Sequence, residues 1–219
     1  MINQIIKKMT IQASTSERAI LEAAEREFMT KGYDGAKTQS IAKEAGVTHA
    51  MLHYYFRSKE NLFNKVFEEK TGIMLQAIIS AFQDNEGNFY ERLEKVIEAH
   101  FDFLAKNPDL PRFIINEVIS KPERADFLKN RVLQMIGKVT SSIEKEVNDL
   151  IKACEINDIK IIDLLLDVAS LNLFVFIALP IIRNFRGNFY PTEKDFLEAR
   201  KQETIRIILG RLRNKEYSI

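Results

Sequence analysis

His49, His53, Tyr54, Tyr55 and Lys59 all fall within the run AGVTHAMLHYYFRSKENLF, which begins at Ala45. Imidazoles, phenols and an ammonium so close together suit three chemistries: metal ligation, substrate handling or contact with a phosphate backbone. His49 and His53 stand at i and i+4, the spacing of a two-histidine metal half-site. The zinc-protease form of that motif needs a glutamate after the first histidine, where this chain has Ala50. No cysteine lies nearby, the only one being Cys154, and His100 is distant in sequence. The stretch is therefore expected to hold no metal, and the chain to carry no cofactor. Elsewhere there is no catalytic pairing, no phosphate-binding Gly loop and no redox motif, so the chain is not expected to be an enzyme.

The elements around these residues favour the phosphate backbone. Between Thr38 and Leu52 the chain reads TQSIAKEAGVTHAML. Small Ala42 would let a second helix approach the first, Gly46 would make the sharp turn, and Ile41, Val47 and Leu52 would lock the pair. This is the pattern of a helix-turn-helix. On a helix from Thr48 to about Phe56, Leu52, Tyr55 and Phe56 share one face. Ala50 and Tyr54 point the other way, Met51 and His53 lie on the flanks, and Thr48 and His49 stand at the N-terminal end. That exposed face carries no strong negative charge and can lie in a major groove.

Ser58 is expected to cap the next helix, whose open amides favour an anion, and Arg57 and Lys59 add charge beside it. Thr38 is expected to cap the helix before the turn. The expected DNA-contact residues are Thr38, Thr48, His49, Ala50, Met51, His53, Tyr54 and Lys59.

Net charge is +1, from 32 basic and 31 acidic residues, so any case for a polyanionic partner rests on local charge. With 46% apolar and 29% charged residues, a packed core and a soluble surface are both expected. Nothing resembles a secretory signal, and a lone cysteine fits a reducing cytosol, so a cytoplasmic protein is expected. The most apolar run, Val168 to Ile182, contains Asn172 and Pro180 and is bounded by Asp167 and Arg183. Shorter than the ~20 residues of a spanning helix, it is read as a buried helix, and no membrane partner is expected.

Sustained period-2 alternation is missing, and only 8 glycines and 5 prolines punctuate the chain, so nearly every segment reads as helix. The first is expected from about Ser16 to Lys31, capped by Ser14 or Ser16, with Ile20, Leu21, Ala24 and Phe28 buried and Gly32 as its stop. A fourth helix runs from Ser58 toward Phe82, and 83–88 is a loop. Further helices are expected at about 89–106, 110–119, 123–154, 157–186 and 192–212. The fold class is all-α: an N-terminal three-helix helix-turn-helix DNA-binding domain joined by a shared helix to a larger helical ligand-binding and dimerisation domain. The domains are placed at 1–62, with 1–13 as a flexible arm, and 63–219.

From Ile20 to Phe63 the chain resembles the TetR/AcrR family of transcriptional regulators. The run from Gly46 to Leu62 carries the resemblance: a valine-hydroxyl opening, Leu52, the Tyr55-Phe56 pair, and Ser58-Lys59-Glu60 with Leu62. Two positions depart from the family's usual residues, Ala50 where glycine is common and His53 where tyrosine is common. Ala50 is still small enough for close approach. His53 can donate to a phosphate or a base and adds a pH-sensitive group.

The resemblance implies a ligand cavity in the second domain, for which Phe101, Phe113, Phe127, Phe174 and Phe176 are the candidate lining residues. It also implies that the last two helices form a four-helix bundle across a twofold axis. Excess apolar surface on those helices points the same way, with Leu173, Ile177, Leu197, Ile205, Ile208 and Leu209 as the expected dimer interface. The expected function is a ligand-responsive regulator, a repressor, that binds a pseudo-palindromic double-stranded operator as a homodimer and is released by a small apolar effector. An alternative is a helical protein that binds a hydrophobic ligand and has no DNA role.

Overall fold

The computed structural model describes residues 2–83, 87–120 and 122–213; side chains at 2–14 and at most positions of 117–139 lie outside the description. The helices are α1 (Ile2–Gly35), α2 (Thr38–Glu44), α3 (His49–Phe56), α4 (Lys59–Gln83), α5 (Phe89–Lys106), α6 (Leu110–Ser120), α7 (Pro122–Lys152), α8 (Ile161–Ile182) and α9 (Glu193–Leu212). Among the described residues the only β pairing is an isolated bridge between Ile156 and Arg213. The chain divides into two compact units, Met1–Ile73 and Met74–Ile219, and the division falls inside α4.

In the first unit, α1 begins at Ile2, so neither Ser14 nor Ser16 caps it. Serine is only mildly unfavourable within a helix, and no glycine or proline interrupts the approach to it. The side chains of the stretch expected as an arm, 1–13, lie outside the description. Gly32 does break the helix: at φ 68°, ψ 175° it occupies a region essentially restricted to glycine. Glu27 secures the turn that follows. Its carboxylate accepts from Lys31 Nζ at 2.7 Å and from the Lys37 backbone N–H at 3.1 Å. Burial pushes the Glu27 carboxyl up, but the hydrogen bonds and charges of Lys31 and Lys37 outweigh it and leave the group below its ordinary range.

Ile20, Ala24, Phe28, Ile41, Leu52, Leu62 and Phe63 form the buried centre of this unit. The Phe28 and Tyr33 rings both meet Phe63 edge-on, at 5.3 and 5.2 Å. The turn after α2 closes as a Schellman motif: Val47 N–H donates to the Ala42 carbonyl and Gly46 N–H to that of Lys43. Gly46 sits at φ 68°, and a Cβ there would meet nothing within 4 Å. Glycine is therefore required by backbone conformation rather than by crowding.

In the second unit, α5 starts with a capping box formed by Asn88 and Glu91, and α9 with one formed by Thr192 and Asp195. Phe89, Leu93 and Ile97 of α5 pack with Leu164 and Val168 of α8 and with Ile205, Ile208, Leu209 and Leu212 of α9. The expectation that Ile205, Ile208 and Leu209 face a second copy is therefore corrected, because the chain's own core already covers them. An amphipathic stripe shows that a helix face is covered, and does not show by what. Leu173, Ile177 and Leu197 are half-buried.

The apolar run was read as a buried helix, and the helix that holds it is buried on one side only. α8 has 22 residues and is long and apolar enough to cross a membrane by length and composition. Leu164, Val168, Asn172, Val175, Phe176 and Leu179 are buried on one side, whereas Ile162, Leu166, Phe174 and Ile181 are exposed.

The candidate ligand residues separate. Phe101 and Phe176 are buried and touch each other, ring centroids 5.2 Å apart, and Phe113 is buried. Phe174 is 67% exposed and lines no interior space, which corrects its assignment to a cavity. It lies two residues from Phe176, so the helical turn carries it to the other face. Phe127 lies outside the described side chains.

Candidate nucleic-acid interface

α3 is held by its inner face. Leu52 is fully buried and Phe56 nearly so, while Tyr55 is half-buried at the edge. Thr48 caps the helix, its hydroxyl accepting from Met51 N–H at 3.2 Å. The outer face follows by helical geometry: Thr48, Ala50, Met51, His53 and Tyr54 are exposed and His49 is half-buried. The expected split between core and outward residues on α3 is what the structure shows.

Thr38 behaves differently from expectation. The N-cap of α2 is Lys37, which makes no side-chain cap, and Thr38 is the first helical residue. The Thr38 hydroxyl instead lies 2.9 Å from His49 Nε2, a hydrogen bond that ties α2 to α3. The His49 ring meets His53 edge-on with centroids 4.5 Å apart. His53 Nδ1 is 3.1 Å from the Arg57 carbonyl oxygen. A carbonyl only accepts, so Nδ1 carries the proton. In neutral His53 the outward Nε2 is then an acceptor, and it becomes a donor only when the ring is charged.

Ser58 caps α4, accepting from Asn61 N–H at 3.0 Å. Lys59 Nζ lies 4.6 Å from the centre of the Tyr33 ring and donates to the Asp34 carbonyl at 3.4 Å. The first residue of α4 is thereby fastened to the turn after Gly32. No feature of the sequence pointed to Tyr33 as its neighbour. The guanidinium of Arg57 lies over Tyr54, 5.6 Å from the ring centre.

Between Lys37 and Glu60 the cations Lys37, Lys43, Arg57 and Lys59 face only two carboxylates, Glu44 and Glu60. Glu44 is occupied by Arg26 at 2.5 Å. The excess is basic and local, as contact with a polyanion requires.

Residues 20–66 match the family model described as bacterial regulatory proteins, tetR family. The chain is similar to the nucleoid occlusion factor SlmA of Haemophilus influenzae (strain PittGG), 29% identical over 50% of this chain and 49% of that protein. It is also similar to the fatty acid metabolism regulator protein of Bacillus subtilis (strain 168), 31% identical over 42% of this chain and 46% of the other. The matches thus span about half the length of these curated relatives. Among solved structures, one from Clostridium perfringens described as a candidate fatty acid metabolism regulator aligns with a TM-score of 0.69 at 25% identity, covering 90% of this chain and all of the other.

Proposed function

We propose, from the match of residues 20–66 to the tetR family of bacterial regulatory proteins and the likeness to a solved regulator structure, that this chain is a ligand-responsive transcriptional regulator of that family that acts as a repressor. Two copies bind a pseudo-palindromic operator. In each, Thr38, Thr48, His49, Ala50, Met51, His53, Tyr54 and Lys59 form the DNA surface, with α3 in the major groove. The observation that carries this reading is the outer face of α3. It is exposed, free of acidic side chains, and tied to α2 by the Thr38–His49 hydrogen bond. The work of such a protein is done on the chromosome, in the cytoplasm, and involves no catalysis.

Ile162, Leu166, Phe174 and Ile181 supply the apolar surface for the second copy. A symmetric interface of this kind would cover the exposed side of α8 and present two α3 helices about 34–36 Å apart. α4 begins at the Ser58 cap and continues beyond the division between the units. A ligand that favours one setting of α4 over another changes DNA affinity by its differential affinity for the two. Two similar proteins are named for fatty acid metabolism, and fatty acids are the apolar effectors to try first.

The test is the affinity for a duplex selected from random sequence, with and without these compounds. Weakening on addition supports the effector reading. Unchanged affinity for every compound removes the induction step and leaves DNA binding in place.

A further inference from the structure

Arg57 ends α3 with its backbone at φ 62°, ψ −44°. Ser58 N–H donates to the Phe56 carbonyl at 2.6 Å. Arg57 is therefore the central residue of a γ-turn with positive φ, a conformation that is rare and strained for any residue bearing a Cβ. Glycine would hold the same turn without that strain. An arginine kept where glycine fits better directs attention to its side chain.

That side chain is well placed. The guanidinium lies against the Tyr54 ring, and Tyr54 itself is 69% exposed. The Arg57 carbonyl accepts from His53 Nδ1. One residue thus orients two outward side chains of α3, His53 through its backbone and Tyr54 through its cation. Among the described residues no carboxylate pairs with Arg57. With one face against the ring, its N–H edges remain available in a plane, the arrangement that suits two oxygens of a phosphate. A cation at a helix C-terminus is also favoured by the helix dipole. That effect needs neither the ring nor a guanidinium, and a lysine would supply it.

We infer that Arg57 is a phosphate contact of the DNA interface, held in plane by Tyr54, and that it positions the C-terminal half of α3 on the duplex. The inference rests on the DNA-binding reading above and adds a residue and a role to it.

The experiment uses the full chain and a random-sequence duplex of about two helical turns, with binding measured across a salt titration. Arg57→Gly relieves the turn, so the melting temperature should hold or rise. Its plot of log affinity against log salt should nonetheless be shallower by about 0.9, the share of one phosphate contact. Arg57→Gln keeps the Cβ and the stem but loses the charge, and should lose the same slope. Arg57→Lys should keep the slope. Wild-type slope and affinity in both Arg57→Gly and Arg57→Gln would overturn the inference and leave DNA binding intact. A wild-type protein that binds no duplex would overturn both.

Discussion

Thr38 on α2 and His49 on α3 are joined by a hydrogen bond 2.9 Å long between the Thr38 hydroxyl and His49 Nε2. Each residue reads from the sequence as a separate contact with DNA. In the structure they form one tie that fixes the angle of the helix-turn-helix from its outer side, while Leu52 fixes it from within. On the DNA-binding reading proposed above, a single change at either position should act on both stability and recognition.

Thr38→Val keeps the side-chain shape and removes the hydroxyl. The loss should be about 0.5–1.5 kcal/mol, the usual net worth of one such bond. Urea unfolding followed by far-UV circular dichroism measures it. The same variant should bind DNA more weakly, since the His49 ring loses its fixed orientation.

Where a capping residue and a following proline bracket a segment, the sequence was sufficient. α5 spans Phe89–Lys106 as expected, because Asn88 starts it and the Asn107-Pro108 pair follows it. The inner and outer faces of α3 were legible for a similar reason, since Leu52 and Phe56 stand one helical turn apart. The start of α1 was not, because Ser14 and Ser16 fit a helix interior as well as a cap. Ile205, Ile208 and Leu209 were assigned to a partner, yet they serve the chain's own core. Periodicity identifies an apolar face but not its neighbour. The backbone of Arg57 left no trace in residue type at all, since nothing about an arginine predicts positive φ.

His100 gives the second unit a pH-dependent stability. It is buried beside Asn172, whose amide N–H donates to His100 Nδ1 at 3.1 Å. Burial holds the imidazole at about 4 against an ordinary 6.5. Above 6.5 the ring is neutral in both folded and unfolded chains, and stability is full. Between 6.5 and about 4 the unfolded chain takes the proton and the folded chain does not, so stability falls through that window. By about pH 5 the loss should be on the order of 2 kcal/mol. Urea unfolding of wild type and His100→Leu at the two ends of the window checks it: the variant should show a smaller drop.

Phe174 and Ile181 are exposed on α8 at 67% and 68%. If a second copy covers them, Phe174→Glu with Ile181→Glu should give a folded monomer, because each carboxylate would be desolvated in the interface. Sedimentation velocity reports the change. A double variant that sediments like the wild type would move the interface elsewhere.

The central claim is that α3 enters duplex DNA twice per symmetric pair. It is tested most directly by selecting bound duplexes from a random-sequence pool with the full chain and sequencing them. The account predicts enrichment of a pseudo-palindrome whose two half-sites are centred about one helical turn apart, or a multiple of that, and loss of the enrichment in Tyr54→Ala. A pool that stays random, or sites with a single unrepeated half, would contradict it.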